Sequence, residues 1–150
     1  MNRMANFPPK VVVVATDFSP ASVPALAAAR FYGTLGAKVV LIHVVDLTPF
    51  NKSWGPTELM QKAADEVVSN TRAELERTRD EHLTDTNVEL QVVRHDSPGQ
   101  ALVETAKSSP ADLIVVGSHG RTGLRRVLLG SVAERVVRLA HCPVLVVRSE

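Results

Sequence analysis

Cys142 is the only cysteine in the 150 residues, so the chain has no internal disulfide, which fits a reducing compartment. Its place between an expected helix end and a strand suits a buried, inert thiol better than a nucleophile. Charge of one sign is also missing. Seventeen Lys and Arg face sixteen Asp and Glu, a net charge of +1, and no global basic field argues for nucleic acid. No apolar run approaches the roughly 20 residues that span a bilayer. Met1 to Pro9 lacks the apolar core of a signal peptide, so the expected location is the cytoplasm. Internal repeats and low-complexity tracts are absent. What remains, 45% apolar and 22% charged, is the composition of one globular domain over residues 1–150. That length buries roughly two-thirds of the unfolded surface.

Several chemical signatures are missing too. No Gly-x4-Gly-Lys-Ser/Thr occurs, and no Gly-x-Gly-x2-Gly follows the first strand, so neither an ordinary P-loop NTPase nor a dinucleotide dehydrogenase fits. The five histidines do not pair with another His, Cys or carboxylate at ligand spacing on one element, which argues against a metal site. Ser118 or Ser131 as a nucleophile would need an adjacent base and an orienting acid, and there is no Gly-x-Ser-x-Gly. No residue is nominated as catalytic.

The elements that are present alternate. Val11 to Thr16 and Lys38 to Val45 read as strands buried on both faces, as does Asp112 to Val116. Val88, Leu90 and Val92 alternate with polar residues, a more exposed strand, and Val144-Leu145-Val146-Val147 is the last. Between them, Ser19 can cap a helix with Pro20 at its first position, and Gly36 is a natural stop. Leu59, Ala63, Val67, Thr71, Leu75, Thr78 and His82 recur at helical spacing, predicting a long amphipathic helix over Glu58 to Leu83 that lies on the sheet. A helix through Ala101 to Ala106 opens at Ser97-Pro98, and another covers Val132 to Ala140. The segment from Asp46 to Thr57, with Phe50 and Trp54, reads as a long loop, either a lid or a plug at the sheet edge. Five strands and four helices in this order predict an α/β fold, a parallel sheet with helices on both faces and a ligand crevice at the carboxyl ends of the strands.

Glycine is concentrated where that crevice would be. Half of the eight glycines fall between residues 117 and 130. Gly117-Ser118-His119-Gly120-Arg121-Thr122-Gly123 leaves a strand, and Gly130-Ser131 opens a helix. Glycines admit positive φ and close approach to the main chain, while the first-turn N–H groups of a helix favour phosphate. Ser131 can cap that helix or give its hydroxyl to a phosphate oxygen. Arg121, Arg125 and Arg126 are either a solvated basic loop or cations that fold over a triphosphate. Asp17, at the end of a central strand, is either an Asx-type cap or a ligand contact.

At these residues the chain resembles the universal stress protein family. Gly117-x2-Gly120-x9-Gly130-Ser131 is similar to that family's nucleotide-binding signature, and Ala15-Thr16-Asp17-Phe18-Ser19 and Leu41-Ile42-His43-Val44-Val45 fall at its first and second strand ends. The resemblance implies a Rossmann-like five-stranded parallel sheet in the order 3-2-1-4-5 and a dimer through the last strand. It also implies ATP as ligand, with Mg2+ as its possible companion. The implied nucleotide-binding residues are Ala15, Thr16, Asp17, Val44, Gly117, Ser118, Gly120, Arg121, Gly130, Ser131 and Val132. Among them Gly117, Gly120 and Gly130 would cradle phosphate through the main chain, Ser131 would give its hydroxyl, Asp17 would contact the nucleoside and Val44 the adenine through its main chain. Ala133 departs from the family, where a small hydroxyl residue is frequent. The function implied is a regulatory ATP-binding protein with slow hydrolysis or none. The alternatives are an ATP hydrolase or nucleotide transferase of related fold, and a nucleotide-free module that binds a partner protein.

Overall fold

Runs of β-branched residues make the sheet, and their alternate side chains feed two separate cores. The computed structural model describes residues 7–46, 57–120 and 129–149. Its elements are β1 (Val11–Ala15), α1 (Val23–Thr34), β2 (Lys38–Val45), α2 (Glu58–His82), β3 (Asn87–Arg94), α3 (Pro98–Ser108), β4 (Leu113–Gly117), α4 (Ser131–Leu139) and β5 (Val144–Val147). All strands are parallel, in the order β3-β2-β1-β4-β5. The expected fold and strand order are those observed. The loop with Phe50 and Trp54 lies outside the described residues, as do Arg121, Arg125 and Arg126.

Val12, Val14 and Leu41 point to one face, against Leu26 and Ala29 of α1 and Leu75 of α2. Val13, Val40, Ile42 and Ile114 point to the other, against Leu102 and Ala106 of α3 and Val136 of α4. Burial on both faces explains why these strands carry no polar alternation. The outer strand β3 does alternate. Its Glu89 pairs with Lys38 and accepts from Gln91, which together hold its carboxyl below the usual range.

Helix boundaries have local causes. Pro20 opens a short 3-10 turn, Pro20–Ser22, that runs into α1, with Ser19 at the expected cap position. Ser19 makes no side-chain cap, however. Its hydroxyl goes to Asp17 instead. At the other end Gly36 has φ +97°, and the N–H groups of Gly36 and Ala37 return to the carbonyls of Gly33 and Tyr32. This double closure is why a glycine stops the helix.

The amphipathic reading of α2 needs a correction. Thr71, Leu75 and Ala64 are buried, whereas Leu59 is 77% exposed and Val67 36%. Twenty-five helical residues extend about 37 Å, against about 26 Å for an eight-residue strand. The first turns of α2 therefore run past the sheet, and the apolar stripe continues beyond what it covers.

Candidate functional site

Three strand ends and one helix start converge. Because β1 lies between β2 and β4, the residues after Ala15, His43-Val44 and the residues after Val116 meet at one end of the sheet. They enclose a cavity of about 330 Å³, near the lower end of the roughly 300–1,000 Å³ usual for ligand sites. Ala15, Thr16, Asp17, Val44, Gly117, Ser118, Gly120, Gly130, Ser131 and Val132 all line it. Arg121 lies outside the described residues.

Ser118 ties the glycine segment together. It is only 2% exposed. Its N–H donates to the Val147 carbonyl at 2.8 Å, its carbonyl accepts from Gly130 N at 2.7 Å, and its hydroxyl pairs with His119 Nδ1 at 3.0 Å. The bond to Gly130 draws the start of α4 back over β4. Space explains the glycines here. A Cβ on Gly117 would stand 3.2 Å from the Ala21 carbonyl, one on Gly120 3.1 Å from Asp17 Oδ2, and one on Gly130 3.2 Å from the Ser118 carbonyl. Among the described glycines only Gly36 has positive φ, so close approach, and not an unusual backbone angle, is what Gly117, Gly120 and Gly130 supply.

Two expectations for the start of α4 are corrected. Ser131 is not the cap: Gly130 occupies that position, no side chain caps the helix, and Ser131 is its exposed first residue. Gly130 does not present its own N–H to the cavity either, because that group is bonded to Ser118. The first intrahelical bond runs from Glu134 N to Gly130 O. The N–H groups of Ser131, Val132 and Ala133 precede it, as first-turn donors at the positive end of the helix. All three residues line the cavity.

After β1, Asp17 Oδ1 accepts from the N–H of Ser19 at 2.9 Å and from its hydroxyl. Asp17 therefore both closes an Asx-type turn and lines the cavity. Val44 packs its side chain against the core of the α3 and α4 face. Sequence reading missed Ser22, His43, Pro98 and Val116 as lining residues, and His119 lines the cavity too. His43 carried a signal, being the one polar residue inside an apolar strand.

Cys142 lies far from this site, beside Asp112 and His141 at the other end of the sheet. Burial, and then Asp112, raise its thiol pKa, in keeping with an inert role. Among the described residues, no group of three His, Cys, Asp or Glu side chains could hold a metal ion, and no helix is long and apolar enough to cross a membrane.

Comparison with known proteins gives a consistent result. The sequence model of the universal stress protein family matches residues 9–148. Universal stress protein MJ0531 of Methanocaldococcus jannaschii is 38% identical over 142 residues, which cover 93% of this chain and 82% of that one. The solved structure of MJ0577 from the same organism is 30% identical, with a TM-score of 0.79 over 94% of this chain and 96% of that one. A universal stress protein solved in complex with cAMP is 27% identical, with a TM-score of 0.68 over 95% and 98% of the two chains. By the family match over nearly its whole length and by these relatives, the chain belongs to the universal stress protein family.

Proposed function

We propose that this protein binds ATP, with Mg2+, in the cavity at the carboxyl ends of β1, β2 and β4, and acts in the cytoplasm as a regulatory nucleotide-binding homodimer. One observation carries the reading: a cavity lined by three strand ends also receives a helix start that no side chain caps. Phosphates would meet the N–H groups of Ser131, Val132 and Ala133 and the Ser131 hydroxyl, with Gly117, Gly120 and Gly130 giving room for close approach. The nucleoside would lie toward Asp17, with Val44 offering main-chain groups to the base. A family member solved in complex with cAMP supports an adenine nucleotide as the ligand. The metal would be held chiefly by phosphate oxygens and water, the usual arrangement for Mg2+.

Slow or absent hydrolysis follows from the same geometry. Among the described residues, the Ser19 hydroxyl is taken up by Asp17 within the turn, and Ser118, whose hydroxyl pairs with His119, is almost wholly buried. Heat release of small molecules from the purified protein, followed by chromatography, tests the whole reading. ATP or ADP in stoichiometric amount is expected. Nucleotide-free protein that also fails to take up added ATP would favour the partner-binding alternative.

The homodimer rests on β5. This strand pairs with β4 on one side and is an edge of the sheet on the other. The main-chain groups of Pro143 and Val147 face β4, through bonds from Ile114 N and Ser118 N. By the alternation of a strand, those of Val144 and Val146 face outward. With only Val144, Leu145, Val146 and Val147 along it, this edge carries none of the charges that usually blunt one. Val146→Pro removes an outward donor without touching the β4 pairing. Light scattering should show a dimer for the wild type and a shift toward monomer for the variant.

A further inference from the structure

We propose that Thr16 and Ser22 are positioning residues that hold Asp17 for the nucleoside, an inference that rests on the nucleotide site proposed above. The seven residues from Thr16 to Ser22 form a turn closed by buried hydroxyls; Thr16 is 5% exposed and Ser22 7%. The hydrogen bonds have one possible direction. Phe18 N–H donates to Thr16 Oγ1 at 3.0 Å, and the Ser22 hydroxyl donates to the Ser19 carbonyl at 2.8 Å. The 3.0 Å contact between the two hydroxyls is then donated by Thr16 and accepted by Ser22.

This relay holds a backbone that would otherwise relax. Phe18 has φ +64°, a region that large side chains rarely adopt and that surrounding structure must enforce. Its ring stacks on His43 with centroids 4.4 Å apart and planes at 27°. Because a carbonyl only accepts, His43 Nδ1–H donates to the Thr16 carbonyl at 2.8 Å and fixes the turn to β2. The product of this bracing is the orientation of one carboxylate. Asp17 Oδ1 is engaged twice by Ser19, and Oδ2 stands beside Gly120 across the glycine loop. A carboxylate held there accepts from hydroxyl or amino groups and repels phosphate. Displacing it therefore withdraws an acceptor from the nucleoside end of a ligand, whereas at the phosphate end it withdraws no attraction.

Calorimetry with ATP and with inorganic tripolyphosphate, on wild type, Ser22→Ala, Asp17→Ala and the double variant, separates this role from general loosening. Ser22→Ala should weaken ATP about tenfold, because the Asp17 carboxylate then loses its hydrogen bond to the nucleoside, and tripolyphosphate by less than about twofold. In the Asp17→Ala background the Ser22 change should add nothing, because it acts through that carboxylate. Thr16→Ser, which keeps the hydroxyl, should bind ATP as the wild type does. If Ser22→Ala does not fold, Thr16→Val against Thr16→Ser makes the same test. Equal losses for both ligands, additive losses in the double variant, or wild-type binding by Ser22→Ala would overturn the proposal while leaving the nucleotide site standing. Wild-type protein that binds tripolyphosphate but not ATP would overturn both.

Discussion

Helices α2 and α4 begin at the same end of the sheet with nearly the same backbone and opposite finishes. The residue before α2, Thr57, has φ −78° and ψ 157°; the residue before α4, Gly130, has φ −69° and ψ 163°. Thr57 turns its hydroxyl back onto Met60 N–H at 3.2 Å, and Glu58 adds a carboxylate to the first turn, itself paired with Lys62. That start is completed by its own side chains. Gly130 has nothing to turn back, although its backbone would suit a threonine. What a threonine would not suit is the surroundings, since its Cβ would press on the Ser118 carbonyl. The helix is left uncapped where Gly130 packs against Ser118, and its first-turn residues line a cavity.

Making the two starts alike should have the largest effect. Gly130→Thr gives α4 the cap that α2 has, while its bulk displaces the loop. ATP affinity by calorimetry should fall at least about 100-fold, with the circular dichroism spectrum retained. A variant that binds normally would put the phosphates elsewhere. Ser131→Ala comes next: it keeps the main-chain donors and loses one hydroxyl, for an expected loss of about tenfold. Thr57→Ala sharpens the contrast from the other side. It should cost about 1 kcal/mol of stability in urea melts and leave ATP affinity unchanged. An effect on ATP would mean that α2 serves the site after all. The smallest change is expected from Ala133→Ser, which adds a hydroxyl on the first turn where Ala133 now lines the cavity. A gain of about threefold in ATP affinity would show that α4 can still take another donor.

The same comparison shows where sequence was legible. The strands were, because a β-branched run and a period of two each correspond to one environment: buried on both faces for β1, β2 and β4, half exposed for β3. The meeting of Asp17, Val44 and the glycines around one cavity was also legible, since strand ends in a parallel sheet fall at one edge. How far α2 would reach past its sheet was not, because helical spacing says which side is apolar and nothing about the length of what lies beneath. Nor was the cap of α4. Ser131 looked the better candidate until the loop's closure onto Ser118, twelve positions from Gly130, took that glycine's N–H. His43 and Ser22 were missed for a related reason. His43 meets its partner Thr16 only across two strands, and Ser22 meets the same residue only once the turn at Phe18 has formed.

Titration calorimetry of the wild-type protein with ATP and with GTP, in magnesium, tests the nucleotide site most directly. The expected result is saturable binding of one ATP per chain, at least about tenfold tighter than GTP. No measurable heat at millimolar ATP would contradict the phosphate site at α4. Equal affinity for the two nucleotides would contradict the reading of adenine at Val44.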